Sequence, residues 1–211
     1  VEELNRAGVR LALAAREATG KADAVVAGSI SVTEQGYPAP TLDVLRASLH
    51  EAAALQADAG AELFMLEMMR RIETAEIALT AASATGLPVW IGWSCELRDG
   101  EPYLIDGGES LAEAATWAGQ SGEVQVQMIM HTETEDVAAC VEVLRSSWDG
   151  PIAVYAHTGD FQPPHWIFDD TISPSDYSDA AGGWLDQGVQ LVGGCCGIGP
   201  AHISLLSEHL A

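Results

Sequence analysis

Cations are scarce in this chain. Nine Lys and Arg residues stand against 31 Asp and Glu, a formal charge of −22 over 211 residues, and a surface of that sign repels phosphate backbones and anionic bilayers alike. Nucleic acid and membrane are therefore not expected partners. Cysteine is also sparse. Of the four present, two are adjacent and badly placed to bridge one another without strain, which is not the framework of a secreted disulfide domain. A reducing, cytoplasmic setting is expected. No apolar stretch approaches the roughly 20 residues of a membrane-spanning helix, and no basic-then-apolar signal opens the chain. Low-complexity segments and linkers are absent too. A composition that is 48% hydrophobic supports one domain with a sizeable core.

What is present is a repeated alternation. A helical pattern, a glycine-bearing turn and a short β-rich run recur six times, the runs being "ADAVVAGS" (22–29), "ELFMLE" (62–67), "LPVWIGWS" (87–94), "EVQVQMIMH" (123–131), "PIAVYAHTG" (151–159) and "VQLVGG" (189–194). Each run is mostly apolar rather than cleanly alternating, as suits parallel strands covered on both faces. Strict alternation favours a doubly wound sheet or a (β/α)8 barrel, and the lack of a phosphate-type glycine fingerprint after the first strand favours the barrel. The expected fold is α/β, a TIM-type barrel forming one domain over 1–211, with six βα units visible and two strands unaccounted for. Val1 is not an initiator methionine, and "VEELNRAGVRLALAAREATG" begins at once as a helix. The sequence thus reads as the latter part of something longer, with self-association or a missing amino-terminal segment expected to cover the open edges.

In such barrels chemistry sits at the carboxyl ends of the strands. Those ends deliver Ser29; Glu67; Ser94, Cys95 and Glu96; His131; His157, Thr158, Gly159 and Asp160; and Cys195 with Cys196. Two thiols and two imidazoles on one rim suit Zn²⁺ better than a hard cation. The irregular stretch 157–177 is expected to be an active-site loop.

The segment "LVGGCCGIGPAHI" (191–203) resembles the carboxy-terminal "GGCC" signature of the zinc-dependent homocysteine S-methyltransferases. "VVAGSISVTEQG", "AGAELFMLEMM" and "IAVYAHTGDF" are similar, in the same order, to that family's "AGS", "ET" and "YPNSGE" segments. The resemblance implies a (β/α)8 barrel whose zinc is held by three cysteines. Two of them fall on Cys195 and Cys196. The third falls on "IMH", at His131, where an imidazole in place of a thiolate makes the site one unit less negative. Glu67 matches the glutamate that holds the amino group of homocysteine. His157 replaces an asparagine and becomes a candidate fourth ligand. Ser29, Thr158, Gly159 and Asp160 are expected to line the substrate. The implied reaction carries a methyl group from a sulfonium, ammonium or similar donor to the thiolate of homocysteine or a related thiol, giving methionine. An acidic protein favours such a cationic donor.

Two other assignments stay open. Met68 stands where the family usually has threonine, His131 replaces a ligand, and nothing matches the family's first-strand "DG(A/G)(M/L)(A/G)T" segment. These departures fit a diverged, non-catalytic barrel that binds a metal or small ligand. A vicinal-dithiol redox protein is the third reading, although the Cys-x-x-Cys spacing is lacking. Cys140 reads as core and Cys95 as a minor alternative ligand. His165, His202 and His209 read as loop and helix-surface residues, and Trp90, Trp93, Trp117 and Trp184 as packing.

Overall fold

Helix starts follow local capping chemistry. Thr41 accepts from the Val44 N–H at the start of α2 (Leu42–Asp58), and Ser110 and Glu113 form a capping box on α4 (Leu111–Gln120). Ser173 caps α6 (Pro174–Asp186), whose first turn carries Pro174, a residue with no N–H to lose there. The remaining helices are α1 (Glu2–Thr19), α3 (Ile72–Ser83), α5 (Val137–Ser147) and α7 (Pro200–His209). None of the described helices is long and apolar enough to cross a membrane. The computed structural model describes residues 1–32, 40–105, 107–162, 165–169 and 171–209.

All six anticipated strands are present: β1 (Ala27–Ser31), β2 (Leu63–Met69), β3 (Val89–Trp93), β6 (Val124–Glu133), β7 (Ile152–His157) and β10 (Leu191–Val192). They form one parallel sheet in the order β1-β2-β3-β6-β7-β10. Two hairpins were not anticipated. β4 (Cys95–Arg98) and β5 (Glu101–Leu104) are joined by Asp99-Gly100, with φ of 52° and 85°, the left-handed pair that a two-residue turn requires. β8 (Asp160–Gln162) pairs with β9 (His165–Ile167) inside the stretch expected to be a loop.

The expected barrel is therefore present in part. Among the described residues β1 and β10 are the two edges of an open sheet and do not pair with each other, because closure in this architecture takes eight strands with their shear and tilt. The helices cover one face. Phe64, Leu66, Ile91, Ile129 and Val154 pack there against alanine-rich helices, and the buried Gln127 bridges Trp93 Nε1 (2.8 Å) to the Ala115 carbonyl on α4 (2.9 Å). The other face carries a smaller cluster of Val126, Met128 and Ala153 with Met65, Trp90 and Tyr155, open to a cavity of about 350 Å³.

One edge of the sheet is closed by a side chain. The Val26 carbonyl accepts from the Glu62 N–H at 2.8 Å, so the backbone groups of the even positions of β1 face β2 and the N–H and carbonyl of Ser29 face the open edge. There Gln56, from α2, accepts from the Ser29 N–H at 2.8 Å and donates to its carbonyl at 3.0 Å, while also donating to Asn5 Oδ1 at 3.0 Å. The amide passes over Gly28, where a Cβ would come within 2.9 Å of Gln56 Oε1. Gln56 does for Ser29 what a neighbouring strand's peptide would do.

Candidate functional site

Side chains on a strand alternate between faces, so a one-residue insertion reverses everything beyond it. On β6, Met128 faces the cavity and Ile129 the helices, which by alternation would send His131 to the helix side. A register shift between Met130 and Glu133 interrupts the ladder, and His131 adopts φ 46°. β2 has the counterpart, a shift between Leu66 and Met69 with Met68 at φ 59°. A left-handed non-glycine residue costs on the order of 1–3 kcal/mol and is retained where the surroundings over-determine it. Here the two bulges are tied together: Met130 Sδ accepts from the Met68 N–H at 3.3 Å and from the Ser94 hydroxyl at 3.3 Å.

The bulge on β6 sets His131 beside the cysteine pair. The parallel ladder continues past β10, with the Gly193 N–H donating to Val154 and the Cys195 N–H to Ala156, at 2.8 and 2.9 Å; the chain then turns so that the Cys196 carbonyl accepts from the Thr158 N–H at 2.9 Å. The glycines on either side follow from this turn. A Cβ on Gly194 would run into Ile198, and one on Gly197, which has φ 79°, into the Thr158 carbonyl.

His131, Cys195 and Cys196 each offer a ligand atom, and these atoms lie within 4.8 Å of one another. The two Sγ atoms are 3.8 Å apart. A tetrahedron with metal–sulfur bonds of roughly 2.3 Å has an edge of about 3.8 Å, so the donor set fits a tetrahedral cation. Burial, helped by the charges of His157 and Arg70, pushes His131 down to about 4. The imidazole is therefore neutral at physiological pH, the form that ligates. Burial, with Cys196 and Glu67 nearby, pushes the Cys195 thiol up to about 11. His157 stands outside the group of three. Its Nε2 lies 3.0 Å from Glu133 Oε1, and its ring is tilted against that of His131 with centroids 4.5 Å apart.

Glu67 lines the cavity with Tyr155, Gly193 and Gly194 and lies near enough to Cys195 to act on its thiol. One of the Glu67 oxygens accepts from the Ser29 hydroxyl and the other from the Tyr155 hydroxyl at 3.4 Å. Burial and the nearby Glu67 hold the Tyr155 phenol well above its ordinary range, so it stays a donor. Thr158 is buried and braced: its hydroxyl accepts from the Ile172 N–H at 3.0 Å while its own N–H holds Cys196. Gly159, at φ 104°, turns the chain from β7 into β8. The Asp160 side chain lies outside the described residues.

Tyr155, Glu133 and Arg70 were missed from the sequence. Tyr155 was recoverable, since period-two alternation puts it on the same face of β7 as His157. Cys95 is in the helix-side core, where the Cys140 thiol and burial hold it well above the usual thiol range, so it stands apart from the rim thiols. His202, expected on a helix surface, is buried instead, donating from Nε2 to the Ile172 carbonyl at 2.9 Å and meeting Tyr177 edge-on.

The sequence model of the homocysteine S-methyltransferase family matches residues 1–210. The chain belongs to that family. Homocysteine S-methyltransferase 3 of Zea mays is 26% identical over 159 residues, covering 73% of this chain and 46% of the maize protein. Homocysteine S-methyltransferase YbgG of Bacillus subtilis is 27% identical over 115 residues, covering 54% of this chain and 35% of that protein. The chain thus spans half or less of the length of these two relatives. Among solved structures, the metallated form of the homocysteine methyltransferase MmuM from Escherichia coli superposes with a TM-score of 0.79 at 23% identity, covering 99% of this chain and 70% of MmuM. At that identity the likeness concerns the fold.

Proposed function

We propose that the chain carries the metal-binding and thiol-binding side of a zinc-dependent S-methyltransferase. The reaction would move a methyl group from a sulfonium, ammonium or similar donor to homocysteine or a related thiol, giving methionine. The observation that carries this reading is the grouping of His131, Cys195 and Cys196 within 4.8 Å at one rim, with Glu67 near enough to act on the Cys195 thiol and lining, with Gly193 and Gly194, a cavity large enough for a small amino acid. Zinc held by these three donors would lower the pKa of an incoming thiol so that it is ionised at neutral pH. Glu67 would receive the substrate ammonium, with Ser29 beside it. His157, paired with Glu133, is the candidate for a fourth donor when no thiol is present. Gly159 would line the approach. In the transfer the new S–CH₃ bond forms as the donor's S–CH₃ or N–CH₃ bond breaks, and the electron pair leaves with the donor. Such a displacement needs alignment more than proton transfer.

The six βα units would then be part of one eight-unit barrel domain, completed by a further segment or by self-association. A reducing cytoplasm suits a site built on thiols, and all four cysteines are free.

Elemental analysis of protein purified without chelators tests the reading. About one zinc per chain, lost in His131→Ala and in Cys195→Ser with Cys196→Ser, supports it, as does methyl transfer to homocysteine by the loaded protein. Absence of zinc sinks it. Zinc that survives His131→Ala moves the third ligand to His157. Zinc without transfer from any sulfonium or ammonium donor favours a non-catalytic metal-binding barrel, a reading to which the departures at His131 and Met68 lend weight.

A further inference from the structure

We infer that Ser29 and Tyr155 are positioning residues that hold the Glu67 carboxylate for a primary ammonium group, and so make the pocket discriminate aminothiols from thiols without the amine. The inference rests on the proposed function for the identity of the ligand, but its evidence is the geometry around Glu67.

Three strands contribute to that geometry. Glu67 comes from β2 and points from the sheet into the cavity, together with Met65, Trp90, Met128 and Tyr155. The Ser29 hydroxyl on β1 donates to one carboxylate oxygen, and the Tyr155 hydroxyl on β7 donates to the other. β1 and β7 are not neighbours in the sheet, since β2, β3 and β6 lie between them. The phenol therefore spans the concave face to reach its partner. Room for it is made at Gly92 on β3, where a Cβ would lie 2.9 Å from the Tyr155 oxygen. Burial and the adjacent carboxylate keep the phenol protonated.

The consequence follows from counting lone pairs. A carboxylate has about four acceptor positions, two on each oxygen. One hydrogen bond to each oxygen fixes the plane of the group and leaves one position on each for a ligand. A planar acceptor held on both sides and half-wrapped in apolar surface suits an ammonium, which brings several donors and the opposite charge. Pre-orienting it removes the ordering cost that a mobile glutamate would incur on binding. An alcohol or an alkyl group in the same place would leave the carboxylate short of a partner, so the same device rejects ligands without the amine.

The test compares binding of homocysteine and 4-sulfanylbutanoate, the same thiol acid without its amino group, to zinc-loaded protein by calorimetry. The wild type is expected to prefer homocysteine, and Glu67→Gln to bring the ratio of the two Kd values close to one. Tyr155→Phe and Ser29→Ala are each expected to reduce the ratio by about fivefold to tenfold, the net worth of an ordinary hydrogen bond, with affinity for 4-sulfanylbutanoate nearly unchanged. A merely structural role would weaken both thiols equally and leave the ratio alone. If Glu67→Gln collapses the ratio while Tyr155→Phe and Ser29→Ala stay within twofold of wild type, the positioning inference is overturned and the role of Glu67 stands. If Glu67→Gln leaves the ratio unchanged, both the inference and that role fail. A double-mutant cycle in urea unfolding on Glu67→Gln and Tyr155→Phe needs no ligand. Coupling below twofold in the unfolding equilibrium constant overturns the inference, and coupling without any thiol binding overturns it together with the proposed function.

Discussion

The two faces of the sheet are built from the same strands and yet have little in common. Phe64 and Leu66 on β2 are sealed against helices, whereas the alternating Met65 and Glu67 face the cavity. The helix side is aliphatic, aromatic and alanine-rich, with side chains of fixed shape that fill space at crystal-like density. The cavity side is built from methionines, a tryptophan, a tyrosine and a carboxylate, adaptable or polar groups that leave space unfilled. One face secures the fold and the other is kept for a ligand, and period-two alternation lets a single strand serve both.

The contrast is broken most directly by truncating one residue on each face. Ile91→Ala, on the fully buried helix side, is expected to lower the unfolding free energy by about 3 kcal/mol, the usual cost of a core cavity. Met65→Ala, beside an existing cavity, should cost about 1 kcal/mol, because little new void is created. Urea unfolding of both variants measures this. Equal costs would mean that the cavity face is as tightly packed as the core and that the division drawn between the faces is wrong.

The rim can be probed the same way at Gly197→Ala. Its methyl group would enter the space of the Thr158 carbonyl in a left-handed backbone, at an expected cost of about 2 kcal/mol. Because Thr158 and Cys196 share a hydrogen bond, zinc affinity should fall by about tenfold as well, a figure typical of disturbing the groups around a ligand. Competition with a chromophoric chelator reads the second number. A loss of stability with unchanged affinity would separate the turn from the metal site.

Much of the helix-side architecture was legible in the sequence, because apolar runs bounded by glycine are local signals. The six strands lie where those runs are, and β10 (Leu191–Val192) is shorter than "VQLVGG", although its hydrogen bonds to β7 extend from Gln190 to Cys195. The β4–β5 turn is legible too, as Asp99-Gly100, the dipeptide that a two-residue hairpin favours. The rim was legible by residue type and not by geometry. His131 could be placed at a strand end beside the cysteines from the order of segments. The bulge that turns it there depends on the pairing of β6 with β7, which no local pattern of β6 displays. Tyr155 and Glu67, 88 positions apart, meet only because the sheet curves between them.

Gln56 is the smallest and most local of the tests, and it concerns the edge where the two faces meet. Its amide satisfies the outward N–H and carbonyl of Ser29, so a further strand could pair with β1 only by displacing it. Gln56→Leu keeps the volume and removes both bonds. Since water can reach an exposed edge, the loss in stability is expected to be modest, about 1 kcal/mol. The larger change should be in association: an uncapped parallel edge offers a row of unmet donors and acceptors to another chain. Sedimentation velocity over a range of concentrations should therefore show more self-association in Gln56→Leu than in the wild type, while Asn5→Ala, which removes only the outer bond of Gln56, should behave as wild type. Identical sedimentation in all three proteins would mean that β1 is protected by something other than this side chain.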